Sequence, residues 1–136
     1  MVDNNLLRQV VNTSLAPDPE TATVQCVRSM GMFAFTSAIT GENPETGILP
    51  ADFATQVKNA MYNLRAVLEA SRSDLLSTNL VFIDLADAHY LLPMNEIYKA
   101  FFPTKDPPAR RVAIVSSLPG GALVQITVIA SARESI

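Results

Sequence analysis

Pro107-Pro108-Ala109-Arg110-Arg111-Val112-Ala113-Ile114-Val115, then the turn Leu118-Pro119-Gly120-Gly121, then Leu123-Val124-Gln125-Ile126-Thr127-Val128-Ile129, sets how the chain ends. Two β-rich runs flank a Pro-Gly turn, which predicts strands over 112–115 and 122–130. Proline fixes its own backbone angle and restricts the residue before it, so Arg110 leaves a stiffened loop. A guanidinium carries a fixed fork of donors that matches a carboxylate or phosphate. Arg110 is therefore a candidate anion-binding residue, with a solvated surface arginine as the plain alternative. Strand alternation puts Arg110 and Val112 on one side and Arg111 and Ala113 on the other. Gln125 falls among apolar neighbours, where a buried amide requires hydrogen-bond partners.

Working back from this pair, residues 75–84 carry the unbroken apolar run Leu80-Val81-Phe82-Ile83, which suits a buried central strand. A helix is expected over 94–102, bearing Ile97, Tyr98 and Phe101, with Pro93 at its first turn and 86–92 as an irregular approach. A longer helix is expected over 52–70: Phe53, Val57, Ala60, Met61, Leu64, Val67 and Leu68 recur at helical spacing. Asp52 suits its N-terminus. Before it, the stretch 41–47 reads as a loop. Short strands are expected over 6–11, 23–27 and 32–37, with a proline-bearing loop over 12–21 and a hinge at Met30-Gly31.

Helices separating strands in this order predict an α+β fold, a mixed sheet with both helices on one face. The other face is then bare. Apolar positions such as Val112, Ile114, Val124 and Ile126 need cover on one side or the other, and identical subunits are the simplest partner.

The chain has 136 residues, the size of one domain spanning 1–136. A net charge of −3 and an aromatic content of 7% argue against nucleic-acid binding, which normally shows a basic stripe. No secretory signal and no apolar run near the about 20 residues of a membrane span are visible, so a cytoplasmic protein is expected. Cys26 is the only cysteine and reads as a small packing residue. His89 is the only histidine, without a ligand cluster or an evident orienting partner. No nucleophile elbow or phosphate-binding glycine loop is present.

Several stretches together resemble a known family: Thr46-Gly47-Ile48-Leu49-Pro50-Ala51-Asp52-Phe53-Ala54-Thr55-Gln56 at a helix start, Asn63-Leu64 with Val67-Leu68-Glu69-Ala70, then Phe82-Ile83-Asp84-Leu85, Asn95-Glu96-Ile97-Tyr98-Lys99-Ala100-Phe101-Phe102, Pro108-Ala109-Arg110, Leu118-Pro119 and Ile126. Their order and spacing are similar to the RidA (YjgF) family of imine and enamine deaminases, best over residues 36–130. The resemblance implies a chorismate-mutase-like fold and a homotrimer with clefts between subunits. It also implies hydrolysis of 2-imino acids, tautomers of enamines such as 2-aminoacrylate, to 2-oxo acids and ammonia, with no metal or other cofactor. Position by position, Arg110 matches the arginine that holds the substrate carboxylate. Ser37 matches a cleft serine, Ala38 stands where glycine is usual, and Asn95 matches an asparagine of the second helix. Val112 stands where cysteine is frequent. Thr23 replaces a tyrosine, and Gln125 replaces the glutamate that handles the attacking water. About three extra residues lie between Asp84 and Asn95.

A carboxylate accepts a proton whereas an amide only orients water, so the anion-holding half of such a site is kept and the proton-handling half altered. Two functions follow from the resemblance. One is a deaminase, slowed or shifted in substrate, with Arg110 and Gln125 as its working residues and Thr23, Ser37, Ala38, Asn95 and Val112 lining the substrate. The other is a non-catalytic trimeric module that binds a small carboxylate metabolite or a protein.

Overall fold

The computed structural model of the chain describes residues 8–19, 22–29 and 32–133. The elements run β1 (Arg8–Val11), β2 (Cys26–Ser29), β3 (Phe33–Thr36), α1 (Phe53–Ala70), β4 (Thr78–Leu85), α2 (Leu91–Phe101), β5 (Ala109–Ile114) and β6 (Val124–Ser131). The six strands form one sheet in the order β1-β2-β3-β6-β4-β5. All neighbours are antiparallel except β4 and β5. That parallel pair needs a crossover, and α2 provides it. The expected order of three strands, helix, strand, helix and two strands is the one observed. No helix among the described residues is long and apolar enough to cross a membrane.

The core lies between the helices and one sheet face. Val57, Ala60, Met61, Leu64, Val67 and Leu68 of α1 are fully buried, as are Val81, Leu85, Val124, Ile126 and Val128 of the central strands. Asp52 caps α1, its carboxylate accepting from the Thr55 N–H at 2.9 Å. Buried amides within the α1 stripe hold loops: Gln56 donates to Pro50 O at 2.7 Å and accepts from Leu123 N at 2.9 Å. Asn63 donates to Thr40 O at 3.0 Å and to Glu42 O at 2.8 Å.

Boundaries differ from expectation in instructive ways. The backbone over 23–25 is not a strand, because the Gln25 side chain gathers the loop before it, bonding Thr13 N, Thr13 O and Pro17 O. The strand expected from residue 75 begins with a 3₁₀ turn, Leu75–Ser77, capped by Asp74. The irregular approach to α2 is a 3₁₀ turn, Ala88–Tyr90, that runs directly into the helix. β5 starts at Ala109 instead of 112, so Arg110 sits within the strand and not at its mouth. The first strand is seen from Arg8 onward; Leu6, Leu7 and the hinge Met30-Gly31 lie outside the described residues.

The open face is apolar, though through other residues than expected. Val124 and Ile126 point to the helices and are buried, and Val112 packs against the same core. Ile114 pairs with Leu85 in the parallel ladder and so shares that side. Alternation leaves Val10, Val27, Phe33, Phe35, Leu80, Phe82 and Ile129 on the open face. Val10, Phe33 and Phe35 are exposed at 49%, 42% and 39%.

Candidate functional site

Four of the seven sequence-predicted residues converge. Thr23, Ser37, Ala38 and Gln125 line one cavity of ≈ 240 Å³, together with Pro17, Asp18, Pro19, Ile39, Thr40, Glu42 and Pro119. The segment after β3 forms its wall. Ser37 N donates to Gln25 O at 2.9 Å, and Ile39 pairs with Ile126 through bonds of 2.8 and 2.9 Å. The rim at Thr40 and Glu42 is clamped to α1 by Asn63. Gln125 rises from the second position of β6 on the open face. Its Nε2 donates to Asp84 Oδ2 on β4 at 2.8 Å, the partner its position demands.

The remaining three residues lie elsewhere. Arg110 pairs with Val81 in the β4–β5 ladder, so it shares Val81's side and stands on the helix face at the edge of the sheet. Its guanidinium carbon lies 4.9 Å from the centre of the Tyr98 ring on α2. Asn95 is three residues earlier on α2, on the same face as Tyr98, and Val112 lies two residues along β5. The Asn95 Oδ1 and Tyr98 hydroxyl are buried without a hydrogen-bond partner among the described residues. Burial pushes the Tyr98 phenol up to about 12, against the opposing pull of Arg110. Within one chain, then, Arg110 and Gln125 occupy opposite faces and share no cleft.

Charge sharpens the division. The cavity is lined by the carboxylates of Asp18 and Glu42 and by no lysine or arginine among the described residues. Arg8 lines another pocket that shares Thr23 and Ser37 with this cavity. Arg110 is exposed on the edge strand.

Two other groups resolve simply. His89 does have a partner, since its Nδ1 lies 2.6 Å from Asp87 Oδ1, but both side chains are well exposed and outside the cavity. The His89 backbone N–H, and then its ring, hold the Asp87 carboxyl below the usual range. Cys26 is buried, receives a hydrogen bond from Ser71 Oγ at 3.3 Å, and has its thiol pushed up by burial. No group of three or more His, Cys, Asp or Glu among the described residues is placed to hold a metal.

Sequence reasoning did not single out Asp84, Asp18 or Glu42. Asp84 carried one available signal: an amide at Gln125 demands a partner. Which strand supplies it depends on the sheet register, which a sequence alone does not display.

Known proteins with this architecture cover nearly the whole chain. The rat 2-iminobutanoate/2-iminopropanoate deaminase is 32% identical over 128 residues, covering 93% of this chain and 92% of that protein. A crystal structure of RidA from an Antarctic Psychrobacter superposes with a TM-score of 0.87 at 28% identity, covering 90% of this chain and 98% of that one. Escherichia coli TdcF with bound serine superposes with a TM-score of 0.86 at 27% identity, covering 90% and 98%. The family model described as endoribonuclease L-PSP matches residues 13–132. With the fold, the convergent cavity and these matches in agreement, the chain belongs to the RidA (YjgF) family.

Proposed function

We propose that this protein is a deaminase of small 2-imino and enamino carboxylic acids, working as a homotrimer with composite clefts. One copy contributes Thr23, Ser37, Ala38 and Gln125; its neighbour contributes Arg110, Asn95 and Val112. The observation that carries this reading is the split itself. A cavity of ≈ 240 Å³ lined by no lysine or arginine among the described residues lies on one side of the chain, and an edge-strand arginine stacked on Tyr98 lies on the other. The rat relative's name states the reaction on 2-imino acids, and the relative crystallised with serine holds an amino acid. Both fit a carboxylate held by Arg110 with a nitrogen beside Gln125.

The chemistry asked of the protein is modest. Water oxygen bonds to C2 of the imine while the C=N π pair moves to nitrogen, which takes the proton. In the carbinolamine the remaining hydroxyl proton passes to nitrogen, the C–N bond breaks, and ammonia leaves as the C=O bond forms. Gln125 orients water or nitrogen but takes no proton; the substrate nitrogen is itself the base. Holding the reactants in place supplies the acceleration.

A ribonuclease finds less support, because acidic Asp18 and Glu42 line the cavity and a phosphate backbone demands a basic track. The test is ammonia release from an imine made in situ by an amino-acid oxidase. A rate above the uncatalysed one is expected. A rate equal to it, with small-carboxylate binding retained, returns the chain to the non-catalytic binding module.

A further inference from the structure

We propose that Asp84 is a positioning residue that fixes the orientation of the Gln125 amide, so that this subsite presents an acceptor and selects a ligand nitrogen over a carbonyl oxygen. Gln125 and Asp84 are directly opposed in the antiparallel β4–β6 register. They therefore project from the same face of the sheet, and Nε2 meets Oδ2 at 2.8 Å. An ionised carboxylate only accepts hydrogen bonds. It therefore dictates which end of the amide faces it: nitrogen toward Asp84, carbonyl oxygen away. The flipped amide would set two acceptors against each other.

The surroundings leave this orientation unopposed. Directly across from Asp84 on β5 stands Ala113. The nearest cation on that strand, Arg111, is engaged over the Phe82 ring at 5.9 Å. No side chain or backbone group among the described residues donates to the Gln125 Oε1, while Gln125 lines the cavity with Ser37, Ala38 and Thr23. A charge-assisted bond also polarises the amide and makes its oxygen a better acceptor. An amine or iminium N–H satisfies that oxygen, whereas the carbonyl of a 2-oxo acid meets it lone pair to lone pair. The arrangement thus favours the nitrogen-bearing substrate over its own product.

The inference concerns the site used in the deaminase reading and rests on it for the identity of the ligands, but it is tested by binding as well as by rate. Four proteins are compared: wild type, Asp84→Asn, Gln125→Glu and the double exchange Asp84→Asn/Gln125→Glu. Calorimetry measures 2-aminobutanoate against 2-oxobutanoate. Wild type is expected to prefer the amino acid by about tenfold, the worth of one well-placed hydrogen bond. Asp84→Asn frees the amide to turn, so the preference falls toward parity, and KM for the imine rises as kcat falls. Gln125→Glu alone sets two carboxylates side by side, which keeps one of them protonated near neutrality and gives no gain in rate. The double exchange restores a donor–acceptor pair in the reverse sense, with the charge now at position 125, and recovers or exceeds the wild-type preference.

If Asp84→Asn leaves both preference and kcat unchanged, or wild type shows no preference between the ligands or binds neither, the proposal is overturned. Loss of preference in a wild-type protein that also fails to accelerate imine hydrolysis would overturn both ideas. Preference that depends on Asp84, in a protein without catalytic rate, would sink only the deaminase reading.

Discussion

In the proposed site Arg110 has two jobs, stacking and anion binding. Its flat guanidinium covers the Tyr98 ring, and such stacking leaves the N–H edge turned outward for a planar carboxylate. Arg110→Ala should weaken binding of small 2-oxo or 2-amino acids by roughly 1.5–3 kcal/mol, the range for hydrogen bonds to charged groups. Arg110→Lys should recover only part of this, because a lysine supplies a point charge without the fork. Calorimetry on protein whose unfolding midpoint is unchanged would check both, and equal affinity for wild type and Arg110→Ala would reduce the residue to a structural role. Tyr98 beneath it makes a separate prediction. Burial raises its phenol from 10.0 to about 12, so the native state holds the proton over a range where the unfolded chain gives it up. Stability is then full below about pH 10 and falls as pH rises toward about 12. Tyr98→Phe should flatten that alkaline limb in urea titrations, and an identical limb in the mutant would refute the assignment. That Arg110 lies beside or within a strand was legible from the sequence because proline and strand chemistry are local. Its distance from Gln125 was not, since that depends on which sheet face each strand position takes.

At the scale of elements, α1 was readable almost to the residue because its buried stripe repeats at helical spacing and Asp52 caps it. What the pattern could not convey is that two amides in this stripe, Gln56 and Asn63, are buried because they tie remote carbonyls and amides to the helix. The same remoteness displaced β2, where Gln25 is spent on the loop before it instead of on a ladder. The rim of the cavity depends on this helix–loop contact. At Gly41 the loop backbone passes so near α1 that an added Cβ would lie 2.3 Å from Gln56 O and 2.7 Å from its Cα. Backbone on a packed helix yields little, so Gly41→Ala should destabilise the protein by about 1–3 kcal/mol, as overpacking does. It should also weaken ligand binding, because Thr40 and Glu42 would move with the loop. Chemical denaturation would test the first effect, and a change within experimental error would show that the loop relaxes freely.

For the whole molecule, the question is why a chain with so complete a core keeps Phe33, Phe35 and Val10 substantially exposed on one sheet face. Burying these residues, with Leu80, Phe82 and Ile129 between them, is what a closed assembly of sheets would accomplish. The proposed trimer accounts for the apolar face and for the divided site together. In the proposed ring, one repeated contact would set the Arg110 edge of each copy against the cavity of the next. The two halves then belong to different chains, and subunit mixing tests that directly. Arg110→Ala and Gln125→Ala should each be close to inactive alone. Unfolded together in equal amounts and refolded, they form mixed rings in which about a quarter of the interfaces unite an intact Arg110 with an intact Gln125. Activity should return to roughly that fraction of wild type, although neither chain carries a complete site. A mixture no more active than the mean of its components would mean that the site lies within one chain, and the opposite-face placement of Arg110 and Gln125 would then need another explanation. Adding Phe35→Asp to both chains should abolish the recovery by charging the shared face, and light scattering should show the assembly lost with it.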